Sequence, residues 1–270
     1  MDRKDKLLHG IDVKNAVGVE IGALCRPFVT RKDGRVIYVD HTDTASLKEK
    51  YRLDPNVDVD SIVDVDAVWG SKPLAESIGT TVDYVVASHV VEHVPDLIAW
   101  LRELSAILKP GGEIRLIVPD RRFTFDYIRQ ETRFTDVLYA SMVAPKVPLP
   151  HIVLDYVLNV TKVDGAQSWR GEIDVARLER HHPMEQAIGC AQQARDGVYH
   201  DVHCWVFTPR SFALLFAELS QRGLMQFECT SFYDTAPFTI EFFVGLRGTG
   251  DQAAATLSWQ KMAAACRESP

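Results

Sequence analysis

The chain is 270 residues long, 46% hydrophobic and 25% charged, the balance of a globular protein able to bury a sizeable core. Its formal net charge of -7 and isoelectric point near 5.7 argue against a nucleic-acid partner, because phosphate contacts need clustered lysine and arginine. No apolar run reaches the roughly 20 residues of a membrane span, and no signal peptide is visible. The five cysteines (Cys25, Cys190, Cys204, Cys229 and Cys266) are odd in number and lack a C-x-x-C pair, so a reducing, cytoplasmic setting is expected.

In chain order, the opening "DRKDKLLHG" is short and mixed in sign and reads as a solvated leader. The first predicted strand, "VGVEI" (17–21), runs into a turn at Gly22. Further strands are expected at "RVIYVD" (35–40), "SIVDVD" (61–66), "DYVVAS" (83–88) and "EIRLIVP" (113–119). Their near-continuous valine and isoleucine suit parallel strands covered on both faces. Between the last two, Leu97, Leu101, Leu104 and Leu108 recur at helical spacing, and Pro110-Gly111-Gly112 stops the helix. Residues 121–207 break the alternation with "APKVPLPH", a helical "HIVLDYVLNV" and a histidine-rich end. They are read as an insertion over the carboxyl edge of the sheet, where open α/β sheets bind ligands. "TPRSFALLFAELSQRG" is a second helix, with Thr208 as N-cap, Pro209 in the first turn and Gly223 as the stop. "FECTSFYD" (227–234) and "TIEFFVGLRG" (239–248) are close enough to pair as an antiparallel hairpin. The alanine-rich tail from Asp251 reads as a peripheral helix. The expectation is one α/β domain over residues 1–270, a doubly wound, mostly parallel seven-stranded sheet ending in that hairpin.

The turn after the first strand lacks the G-x-G-x-x-G set of a dinucleotide site: Ala23, Leu24, Cys25, Arg26 and Pro27 follow Gly22. A carboxylate nevertheless closes the second strand at Asp40, a spacing that suits ribose hydroxyls. Asp66-Ala67 follows on the same edge and could accept from an adenine amine, with Asp64 as a competitor two positions back. Glu20 would repel a pyrophosphate and instead suits a cationic, amino-acid-like group. A ligand that is adenosine at one end and a cationic amino acid at the other is S-adenosylmethionine.

The ordered set "GVEIGA", "YVDH", "VDVDAV" and "DYVVASHVVEHVPDLIAWLRELSAILKPGGEIRLIVPD" resembles class I S-adenosylmethionine-dependent methyltransferases, over residues 15–120 and 206–248. More narrowly, "ASHVVEHVPD" and "PDRRFTFD" resemble a bacterial, methyltransferase type 11-like subgroup associated with glycan or secondary-metabolite pathways. The resemblance implies a Rossmann-like fold and the cofactor S-adenosyl-L-methionine. It also implies that Glu20, Gly22 and Ala23 line its methionine end, Asp40 the ribose, and Asp66 with Ala67 the adenine. Ser88 and His89 would flank the methionine moiety and the transferring methyl. The acceptor is expected to be a small molecule held by the insertion.

The insertion also carries His181, His182, His200 and His203. A neutral imidazole there could take the acceptor's proton, hold a metal, or simply be a core residue. His203, nearest the return to the core, is the first candidate for the base, and His182 the second; no metal site is assigned. Asp120 and Arg121, at the end of the fifth strand, are further candidates for substrate contact. "HVVEH" (89–93) matches the H-x-x-E-H pattern of zinc proteases, but His89 ends a strand and Pro95 opens the next helix, so one helix face cannot carry both histidines. Two rivals remain: a nicotinamide-dependent oxidoreductase, whose glycine signature is missing, and a non-catalytic cofactor-binding module.

Overall fold

The computed structural model describes residues 1–70 and 72–267. Along the chain lie α1 (Arg3–Leu7), β1 (Val17–Ile21), β2 (Arg35–Asp40), α2 (Thr44–Lys50), β3 (Ala67–Val68), α3 (Leu74–Ile78), β4 (Val82–Ser88), α4 (Leu97–Ile107) and β5 (Leu108–Pro119). The insertion contributes α5 (Phe134–Val143), α6 (Pro150–Asn159), α7 (Gly165–Trp169) and α8 (Met184–Arg195). Then come α9 (Pro209–Gln221), β6 (Phe227–Tyr233), β7 (Glu241–Gly248) and α10 (Gln252–Ala265).

The seven strands form one sheet in the order β3-β2-β1-β4-β5-β7-β6. Strands β1 to β5 pair in parallel, while β7 runs antiparallel to both β5 and β6. The expected architecture is therefore present, with β6 as the edge and β7 inside. Alternation along β4 shows why both faces are dry: Val85 and Ala87 enter one core with α4 and α9 residues, Tyr84 and Val86 the other with Leu7, Leu8 and Val29. Gly18 on β1 is required by that packing, since a Cβ there would lie 2.1 Å from the Tyr84 ring.

Four local expectations are corrected. "SIVDVD" is not a strand: only Ala67–Val68 pairs with β2, because the register joins Val39 to Ala67 and Asp40 to Val68. The opening segment is not a free leader, as α1 buries Leu7 against the sheet and Arg3 reaches Glu241. The first long helix ends at Ile107, ahead of Pro110, and Gly111 takes a left-handed φ of 79° within a bulge where β5 leaves and rejoins β4. The tail helix is no mere periphery, for α10 packs on α9 and β6 and fully buries Trp259; residues 268–270 of that tail lie outside the described residues.

The insertion is closed at its root. The Arg121 amide donates to the Phe207 carbonyl at 2.8 Å, and Thr132 to Val206 at 3.0 Å, so its two ends are tied together beside β5. Thr208 caps the following α9, its side chain accepting from the Ser211 amide at 3.1 Å. No helix among the described residues is long and apolar enough to cross a membrane.

Candidate active site

Parallel strands present their last residues along one edge, and the candidates from the strand ends meet there. Gly22 follows β1 with φ 68°, a conformation that strains any side chain, and its amide donates to the Val39 carbonyl at 2.9 Å. The next turn residues, from Ala23, leave this backbone open: only Val90, at 3.1 Å, would meet a Cβ on Gly22. Asp40, the last residue of β2, is buried. One oxygen accepts from the His41 amide at 2.7 Å, while the other has no hydrogen bond among the described residues. Ser88 ends β4, half-buried, and His89 turns out of the strand with a left-handed φ of 53°.

Glu20 and Asp66 do different work from that expected. The Glu20 carboxylate is 2% exposed, and each oxygen accepts a backbone amide, Phe28 at 2.8 Å and Val29 at 2.9 Å. It holds the loop after the first turn rather than facing open space. Burial pushes its pKa up to about 7, against the lowering effect of the two amides. Asp66 sits beside Tyr38, two positions short of the edge, because β3 begins only after it. There it accepts from the Tyr38 amide at 2.8 Å and takes the Arg31 guanidinium at 2.8 and 2.9 Å. Ala67 is buried in β3, and Asp64 is exposed. At the edge itself stands Trp69, stacked on Trp100 with ring centroids 6.5 Å apart. Its signal in the sequence was an aromatic directly after the third-strand motif.

Asp120 and Arg121 are also structural. Asp120 is fully buried, bound by Arg122 and by the Thr235 hydroxyl at 2.8 Å. Arg121 donates to the Tyr127 carbonyl at 2.7 Å.

Beyond Ser88 the chain forms a turn, not a helix, over "HVVEH", so the zinc-protease arrangement does not form. His89 Nε2 instead lies 2.8 Å from Glu241, which Arg3 also binds through two nitrogens at 2.6 and 2.9 Å. The turn is seated on the insertion's return segment: the Cys204 amide donates to the Glu92 carbonyl at 2.6 Å, and the Trp205 indole to the Val94 carbonyl at 2.7 Å. That contact carries His203 against His93, ring centroids 4.7 Å apart.

His203 is buried, and its Nδ1 lies 2.5 Å from Asp126 Oδ2. Burial would raise the Asp126 pKa, but the hydrogen bond to His203 and the Arg129 charge hold it below the usual carboxylate range. An ionised carboxylate only accepts, so Nδ1 carries the hydrogen, and in the neutral imidazole the lone pair is on Nε2. Arg129, itself buried, locks both partners by donating to Asp126 at 2.8 Å and to the His203 carbonyl at 3.0 Å. His93 Nδ1 is 3.0 Å from Asp201, and His93 Nε2 is 4.0 Å from Glu92. Burial would lower the pKa of both His89 and His93, yet Glu241 beside the first, Asp201 beside the second and Glu92 near both hold them above the ordinary value.

The other expected base is elsewhere. His182 lies beside His181, ring centroids 6.0 Å apart, just ahead of α8, and no described contact joins it to His203. Phe125, by contrast, has its ring 4.8 Å from His203 and also lines a cavity of about 620 Å³ with Phe123, Thr161, Asp164, His181 and Ile240. Asp126 and Glu241 escaped the sequence reading, and Glu92 entered it only inside the H-x-x-E-H match; each is a lone acid inside an apolar or aromatic run, a signal that could have marked them.

A family model described as "Methyltransferase domain" matches residues 10–219. No curated protein matches the chain. Among solved structures, the CcbJ methyltransferase from Streptomyces caelestis aligns at 17% identity, over 46% of this chain and 56% of that one, with a TM-score of 0.32. The match thus spans little more than half that protein's length. An S-adenosylmethionine-dependent methyltransferase from Aquifex aeolicus aligns at 12% identity over 92% and 90% of the two chains (TM-score 0.40). A structure assigned to the zinc-dependent alcohol dehydrogenases, from Rhodobacter sphaeroides, aligns at 11% over 93% and 91% (TM-score 0.48). Likenesses this distant carry no argument about chemistry.

Proposed function

The chain belongs to the methyltransferase-domain family, with S-adenosylmethionine as its cofactor, and on that premise we propose that it methylates a small molecule, such as a sugar or secondary-metabolite hydroxyl or amine, by in-line displacement with His203 as base. The observation that carries this reading is the His203–Asp126 pair, which holds the hydrogen on Nδ1 and so makes Nε2 the proton-accepting atom of the neutral imidazole.

The residues of the edge fit the cofactor. Gly22 offers open backbone where a side chain would approach Val90, and Asp40 offers an uncommitted carboxylate oxygen at the strand end. Asp40 would accept from ribose hydroxyls, and Gly22, Ala23, Ser88 and His89 would border the methionine end. Glu20 would act one step removed, by holding the loop at Phe28 and Val29. Trp69 replaces Asp66 as the edge residue toward the adenine. Bound there, the cofactor supplies a methyl on a positively charged sulfur, an electrophile that needs no further activation.

The protein's share is therefore positioning, exclusion of water and removal of one proton. The insertion, residues 121–207, would form the acceptor pocket, and the cavity beside it shares Phe125 with the surroundings of His203. The acceptor's hydroxyl or amine gives its proton to His203 Nε2. Asp126 accepts from Nδ1–H throughout and steadies the imidazolium that results.

Calorimetric titration with S-adenosylmethionine, S-adenosylhomocysteine, NAD and NADP tests the cofactor, and NAD binding without S-adenosylmethionine binding would overturn the reading. Release of S-adenosylhomocysteine with a panel of hydroxyl and amine acceptors tests the reaction. His203→Ala should lower turnover about 10²–10⁴-fold with cofactor affinity near parental. Unchanged turnover in a folded variant removes His203 from the mechanism.

A further inference from the structure

Glu92 is 0% exposed, yet neither of its carboxylate oxygens has a hydrogen-bond partner among the described residues. Two histidine nitrogens approach it, His89 Nδ1 at 3.5 Å and His93 Nε2 at 4.0 Å. A buried carboxylate left in this state is costly unless a proton, a water or a cation answers it. One oxygen of Glu92, one nitrogen of His93 and one of His203 all lie within 4.8 Å of one another. We propose that Glu92, His93 and His203 form a binding site for a borderline divalent metal ion of the zinc class.

Three arguments carry this. The donor set of two imidazoles and one carboxylate suits zinc and its first-row neighbours, whereas magnesium and calcium favour all-oxygen shells. His203 donates from Nδ1 to Asp126 at 2.5 Å, and Asp201 lies 3.0 Å from His93 Nδ1 without hydrogen-bond geometry. A carboxylate accepting from the far nitrogen, as Asp126 does, orients the Nε2 lone pair of a metal-bound histidine. Finally, tetrahedral bonds of about 2.0–2.1 Å put donors roughly 3.3–3.4 Å apart, so the widest separation in the cluster, within 4.8 Å, would close by at most about 1.4 Å on binding. Three protein ligands leave a place for water or an acceptor atom. The set differs from that in the zinc-protease pattern: His89 takes no part, the motif's glutamate becomes a ligand, and His203 joins from the insertion.

The site shares His203 with the base reading and so bears on it. A cation on His203 Nε2 occupies the lone pair that the acceptor's proton would take, so under that reading zinc inhibits turnover.

The test is competition between the full-length protein and a chromophoric zinc chelator, with Zn²⁺ as probe. The parent should bind one ion per chain. Glu92→Gln, which keeps the side chain's shape, should bind at least 100-fold more weakly at an unchanged far-UV spectrum. Asp126→Asn should weaken binding about 10–100-fold, as loss of an outer partner does. Equal zinc affinity in parent and Glu92→Gln overturns the site. Turnover separates the two readings. Stoichiometric binding with zinc-stimulated, chelator-sensitive methylation keeps the site and removes the base. Absent binding, with turnover still dependent on His203, removes the site and keeps the base.

Discussion

Raising the pH from 5 to 8 should destabilise this protein, and Glu20 is one of the side chains responsible. Burial lifts its pKa from 4.5 to about 7 in the folded state. A carboxyl group raised in this way stabilises the fold fully only below its unfolded pKa, and that contribution is lost as pH climbs through the folded value. A difference of about 2.5 pKa units corresponds to about 3 kcal/mol at high pH, of which about 2–3 kcal/mol falls between pH 5 and 8. Glu20→Gln cannot ionise, so its stability should lack this slope. The amide nitrogen cannot accept from Phe28 or Val29, which costs the variant about 1–3 kcal/mol at every pH. The variant should therefore trail the parent at pH 5 and draw level with or pass it at pH 8. Urea denaturation of both proteins at the two pH values measures the crossing. Parallel pH profiles for parent and variant would refute the reasoning, because the slope would then belong to other groups.

Asp40→Ala removes the acceptor proposed for the ribose hydroxyls, and calorimetry should find cofactor affinity lower by roughly 1.5–3 kcal/mol with the fold intact. Asp126→Asn offers His203 an amide that can donate to Nδ1 and so move the hydrogen to Nε2; turnover in the S-adenosylhomocysteine assay should fall about 10²–10⁴-fold while cofactor affinity holds. The same variant leaves Arg129 with Asp155 at 2.9 Å as its remaining carboxylate, so thermal melting should show a loss of about 1–3 kcal/mol. Gly18→Ala forces a methyl into the Tyr84 ring and should destabilise by at least about 1–3 kcal/mol in denaturant, wherever the active site lies.

Most of the sheet was legible because its strands are buried on both faces and read as valine and isoleucine runs; Val17–Ile21 and Arg35–Asp40 match the expected bounds. Gly22 and Asp40 were legible for the same reason, since a strand's last residue must lie on the edge. Asp66 was misplaced because "IVDVD" alternates like a strand, whereas pairing with β2 starts only at Ala67. Alternation is a local property, and register is not. The insertion was hardest. His203 and Asp126 are 77 residues apart, and nothing in either neighbourhood announces the other. The same holds for Glu241, which meets Arg3 from the far end of the chain. Glu20 stands out in the sequence as a ligand contact, but a carboxylate facing a ligand and one holding a loop look alike there.

The place of β7 has a consequence for how the protein is made. Strand β5 ends at Pro119, yet its second neighbour along Glu113–Pro119 is the strand that starts at Glu241, about 120 residues later. On a ribosome adding about 5–20 residues each second, that gap lasts roughly 6–24 s. Throughout it, Ile114, Leu116 and Val118 belong to an unprotected strand edge, the kind that pairs with the wrong chain. Strand β6 cannot relieve this, because it touches the sheet only through β7. Synthesis therefore leaves this edge open to wrong pairing, and shielding of the nascent β5 edge should raise the yield of folded protein.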